Sequence, residues 1–209
     1  SRGPGRLASP QGMTERADET DAPAASGMTL AGMRAGALMT LPMTPGIFAF
    51  GLAIGALSAQ RGLTLFETWA LTTFLNAGAA QAVAYQVWPE VWSLAALIAV
   101  VGVVFTVNAR LMLMSASFRP WLGNLPARQV YPSFAVFTDM NWSLGVAYHA
   151  RGGRDAGMLV GAGLFTSLVW SLAAIPGWLM VAHVADPRVY ALDLMLVVMF
   201  STMSIPVMR

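Results

Sequence analysis

Cysteine and lysine are absent from the 209 residues, and only ten side chains are acidic. Without cysteine there can be no disulfide, no thiolate zinc site and no thiol chemistry. Without lysine all twelve cations are arginine, a bias with no functional account in the residues themselves. Charged residues make up 11% of the chain, where soluble domains average about 25%. The apolar share is 56% and mean hydropathy is +0.61. This balance excludes a soluble globular domain, a disordered chain and a nucleic-acid binder, and a net charge of +2 points to no partner. Catalytic signatures are missing too: there is no HExxH, no GxSxG and no Walker A. The two histidines, His149 and His183, are not spaced as a ligand pair, so no metal, no cofactor and no enzymatic activity is expected. Any transport is therefore secondary, or driven by a partner.

The few charges are unevenly placed. Residues 1–34 hold eight of the 22, and the remaining 175 positions hold fourteen. Residues 1–27 read as a disordered polar tail with no apolar signal-peptide core. Beyond it lie charge-free runs at 35–60, 68–89, 91–109, 140–150, 156–185 and 194–208, and runs of about 18 or more apolar residues read as membrane spans. The expected architecture is an all-α integral membrane domain over 28–209. It has about six transmembrane helices, near 35–59, 66–88, 91–118, 129–149, 157–184 and 189–208, some of them broken or re-entrant. On that count arginines near span ends divide four against four, so the positive-inside rule gives no orientation.

A charge inside a membrane costs roughly 2.5–3.5 kcal/mol and needs a reason. Asp139 falls in the middle of the fourth span, and Arg110 about 12 Å inside the third. The two are expected to pair. Asn108, Asn76, Gln81, Thr138 and Asn141 add polarity at mid-span, and Asp193 enters the sixth span. Residues two apart on a helix point about 200° from each other, so Asn108 and Arg110 cannot face one cavity; Thr138 and Asn141 can. Pro42, Pro45 and Gly46 in the first span, and Gly78 with Asn76 in the second, have helix-breaking chemistry. Broken helices near the midplane expose backbone groups to small solutes. Glycines spaced GxxxG at Gly32/Gly36, Gly51/Gly55 and Gly157/Gly161 predict close helix packing.

Five stretches together resemble the AzlC family of branched-chain amino-acid permeases, over about residues 30–208. They are Pro45-Gly46-Ile47-Phe48-Ala49-Phe50-Gly51, Asn76-Ala77-Gly78-Ala79-Ala80-Gln81, Val107-Asn108-Ala109-Arg110, Thr138-Asp139 and Leu192-Asp193. The chain departs from the family pattern at Met140, where a glutamate is usual. The resemblance implies the large subunit of a two-component exporter in the bacterial cytoplasmic membrane. It also implies a small AzlD-like four-helix subunit as partner and a branched-chain amino acid as substrate. The expected function is proton-coupled export, with Asp139 as the coupling carboxylate. The alternative is a non-transporting scaffold or assembly subunit whose polar groups only join helices; an intramembrane aspartyl protease is disfavoured because Asp139 and Asp193 sit at different depths.

Overall fold

The computed structural model describes residues 25–183. Their regular structure is helical: α1 (Leu30–Thr40), a 3₁₀ turn (Leu41–Met43), α2 (Thr44–Gln60), α3 (Leu65–Leu75), α4 (Gly78–Gln86), α5 (Leu94–Ala116), α6 (Arg119–Leu122), α7 (Ala127–Phe134), α8 (Asp139–Ala150) and α9 (Gly157–His183). Three stretches among the described residues are long and apolar enough to cross a membrane: Leu30–Gln60, Leu94–Ala116 and Gly157–Val181.

The first of these is continuous despite its prolines, which corrects the expectation that Pro42, Pro45 and Gly46 unwind it. Pro42 lies in the 3₁₀ turn and Pro45 in the first turn of α2, where missing N–H groups cost little. The amide of Leu41 donates to Leu38 and that of Thr44 to Leu41, so the chain tightens by one turn and continues.

The α1–α2 rod runs parallel to α9, and glycine sets their separation. A Cβ on Gly36 would collide with the Met158 carbonyl, and one on Gly161 with that of Met33. Further along, Gly51 packs on Ala173, Gly55 on the Ala174 carbonyl and Gly177 on the Leu52 carbonyl. Partner numbers broadly rise together on both helices, which fixes the parallel sense. The three GxxxG pairs thus serve packing within this chain.

The second and fourth apolar stretches fold back on themselves. Each is a hairpin of two short helices that enters and returns on one side. In the first hairpin α3 descends from Leu63, whose carbonyl accepts from Trp178 Nε1, to Thr73, whose hydroxyl donates to Ser171 at 3.1 Å. The chain reverses at Asn76, which has left-handed backbone (φ 42°), and at Ala77. Then α4 climbs back beside α3. Gln81 reaches Thr72 at 3.0 Å, and Tyr85 receives Ser58 Oγ at 2.6 Å, close to where the hairpin began. The second hairpin enters from the other side. Its base lies by the start of α1: Asn124 donates to the Ala25 carbonyl, and Trp121 stacks on His149. Its tip, Ala135–Phe137, rests on α9, where a Cβ on Gly163 would meet the Val136 carbonyl and Asn141 Nδ2.

Of the six expected stretches, the second and fourth take the re-entrant form that the sequence allowed. Among the described residues there are three through-going stretches and two hairpins inserted from opposite sides. An apolar run of twenty residues is long enough for either course, so length alone does not separate them. The sixth predicted span lies outside the described residues. One smaller expectation also changes. Ala25, Ser26 and Gly27, assigned to the tail, are docked: Ala25 N donates to Trp121, Ser26 N to Arg154, and Gly27 bridges to Asp155. Trp121, at the end of the third predicted span, is buried among Phe118, Tyr148 and His149.

Candidate functional site

The hairpin tips converge on the middle of α9. Gly78, at the first tip, packs against Phe50 and Trp170, where an added Cβ would stand 2.6 Å from each ring. Trp170 is the central residue of α9. Val136, at the second tip, meets α9 at Gly163, seven residues earlier and about 10 Å along the axis. Met140 of the second hairpin packs on the cluster that holds Phe50 and Trp170, so the two tips are neighbours.

Asp139 is the first residue of α8 and Thr138 is its N-cap. The sequence reading put Asp139 in the middle of one continuous span. The correction is that a helix starts there, with the Thr138 hydroxyl accepting from the Asn141 amide at 3.4 Å. The helix N-terminus attracts the carboxylate charge. Arg110 completes the pair: its guanidinium donates to Asp139 Oδ2 at 2.6 Å, as expected from the sequence, with side chains 45% and 33% exposed. The other oxygen, Oδ1, is buried and has no partner among the described residues.

The remaining predicted polar residues separate into distinct roles. Asn141 shares a short hydrogen bond with Thr138 and donates to the carbonyls of Val136 (2.7 Å) and Leu159 (3.3 Å). It clamps the second tip to α9. Gln81, 1% exposed, donates to Thr72 and Tyr85 and ties the first hairpin together; its Oε1 has no partner among the described residues. Asn76 makes the reversal and leaves Nδ2 buried and unpartnered. Asn108 is half-buried on α5, two residues from Arg110, and is not drawn into the ion pair. Asp193 lies outside the described residues. No group of three or more metal-ligating acidic or histidine side chains occurs among the described residues.

Sequence reasoning missed the α9 contribution. Thr166 and Trp170 are buried, and with Ser167 they carry polar atoms that have no hydrogen-bond partner among the described residues. A Thr-Ser pair and a Trp in a long apolar helix look like ordinary packing; only the position of the hairpin tips singles them out.

The arrangement is a set of donors and acceptors unpaired among the described residues, a charge pair and two short helix N-termini in one zone of an apolar helical bundle. No curated protein and no solved structure matches the chain. The family model described as AzlC protein matches residues 42–184, a stretch that contains both hairpins, the Arg110–Asp139 pair and all of α9, and the chain belongs to the AzlC family.

Proposed function

We propose that this chain is the large subunit of a secondary exporter of branched-chain, small apolar amino acids in the bacterial cytoplasmic membrane. AzlC membership points to branched-chain amino-acid transport. The observation that carries the rest is the Arg110–Asp139 pair at the head of a half-helix. A charge pair at this depth is costly to keep and supports a working role. Protonation of Asp139 would cancel its attraction for Arg110 and for the α8 N-terminus together, so one proton could loosen the tip of the second hairpin. That supplies a coupling step for proton antiport. The face of α5, nearly all of it unburied within this chain, leaves room for a small AzlD-like subunit beside it.

The test is leucine efflux from cells loaded with a leucine-containing dipeptide, with the partner subunit co-expressed. Efflux should require this chain. Asp139→Asn should reduce it about tenfold or more at equal protein level, and should flatten its dependence on the proton gradient. Efflux independent of the chain refutes transport. A variant with normal flux per assembled complex but a poor yield of complex supports the scaffold reading instead.

A further inference from the structure

We infer that the zone between the two hairpin tips seats the head group of an α-amino acid, its carboxylate toward the first hairpin and its ammonium toward Asp139. The inference rests on the transport reading above and adds the polarity of the bound ligand and the residues that set it.

Donors without acceptors gather at the first tip. The helices α1, α3, α5 and α8 each have a Thr or Ser side chain accepting from their first turn. The nine-residue α4 has none, since its N-cap is Ala77. Its first amides carry the partial positive charge of a helix start. Beside them, Trp170 is 6% exposed and its Nε1 lacks a partner among the described residues. The indole Cζ2, two bonds from Nε1, is 2.9 Å from the place of a Cβ on Gly78, so the N–H edge borders the α4 N-terminus. Asn76 Nδ2, from the reversal itself, is a further unpaired buried donor. A carboxylate is the acceptor-only group that answers such a set.

The second tip presents the opposite need. Asp139 Oδ1 is a buried acceptor unpaired among the described residues, and Arg110 occupies only Oδ2. An ammonium group supplies the missing donor. Between the two levels lies one turn of α9 with Thr166 and Ser167. Elsewhere Thr40, Thr72 and Thr106 return their hydroxyls to the carbonyl four residues back. Thr166, 7% exposed, does not, and its hydroxyl stays available. The levels are about 10 Å apart. That rise along α9 matches in length one small zwitterionic head with a hydrogen bond of about 2.9 Å at each end. Phe50 and Met140 offer the apolar wall for its side chain.

The test compares three ligands on the reconstituted full-length chain: leucine, leucinamide, which lacks the carboxylate, and 4-methylpentanoate, which lacks the ammonium. Trp170→Phe should weaken leucine and 4-methylpentanoate about tenfold and leave leucinamide unchanged. Asp139→Asn should weaken leucine and leucinamide and spare 4-methylpentanoate. Thr166→Val conserves volume and removes a buried unpartnered hydroxyl, so it should keep or raise the melting temperature while lowering leucine affinity. Equal weakening of leucinamide and 4-methylpentanoate by Trp170→Phe, in a chain that still exports leucine, overturns the assigned polarity but not transport. Unchanged leucine binding in both Trp170→Phe and Thr166→Val overturns the seat. The expected ligand pattern in a chain that exports no leucine upholds the seat and refutes the transport reading.

Discussion

Asp155 closes the N-terminal end of the bundle with one carboxylate. Oδ1 accepts from the amides of Thr29 (3.0 Å) and Gly157 (2.9 Å), and Oδ2 takes a short hydrogen bond from the Thr29 hydroxyl. Partial burial opposes its charge, yet the hydrogen bonds from Thr29, Gly157 and Gly32 outweigh burial and hold the carboxyl below its usual value. The unfolded chain therefore binds this proton at higher pH than the folded one. Its stabilisation is complete above the ordinary aspartate range and is lost as pH falls through the lowered folded value. Thermal melts in detergent should show Asp155→Asn less stable than the parent at pH 7, with the gap closing below about pH 4. A gap that persists in acid would assign the loss to packing. The working charges were easier to read than this clasp. Arg110 and Asp139 stand out in an apolar background, and their pairing follows from the cost of leaving either alone. Asp155 sits among loop charges, where nothing in the sequence marks a neighbour 126 residues away.

The glycines carry the same lesson for helices. GxxxG spacing was visible, and close packing followed from it. The choice of partner helix was not, because any smooth helix face would serve. Position now discriminates between glycines of identical chemistry. Gly55 and Gly161 abut backbone carbonyls of the opposing helix, whereas Gly102 on α5 has nothing within 4 Å of an added Cβ. Gly161→Leu should destabilise by about 1–3 kcal/mol or more through overpacking. Gly102→Ala should be neutral or stabilise by about 0.5–1 kcal/mol, from helix propensity. Size-exclusion thermostability of the two variants measures both. The hairpins were half legible. Asn76-Ala77-Gly78 has breaker chemistry, whereas Thr138-Asp139, a helix start in the fold, was read as the middle of a span. The course of the chain past a break was hidden, since hydropathy reports how apolar a segment is and not which way it turns.

That course decides how the molecule lies in the membrane. On a six-span reading Arg119 and Arg128 fall on the side opposite Arg34, Arg151 and Arg154, and the arginines cancel. A hairpin returns to the side it entered, so Arg34, Arg119, Arg128, Arg151 and Arg154 gather at the end where α1 starts, and among the described residues Arg61 alone marks the other end. Five against one is a strong bias under the positive-inside rule, and it predicts that α1 starts on the cytoplasmic side. The native absence of cysteine makes the test direct, because every introduced thiol is the only one. Cysteines at the exposed positions Gln60, Glu90, Ala127 and Ala150 would be challenged with a membrane-impermeant maleimide. In intact cells whose outer barrier has been opened, Gln60→Cys and Glu90→Cys should label, while Ala127→Cys and Ala150→Cys should label only after lysis. Both members of a pair protect or label together because they flank one hairpin. If Ala127→Cys and Ala150→Cys divide between the two sides, the fourth stretch crosses the membrane, the two tips cannot enter from opposite faces, and the charge bias disappears with them.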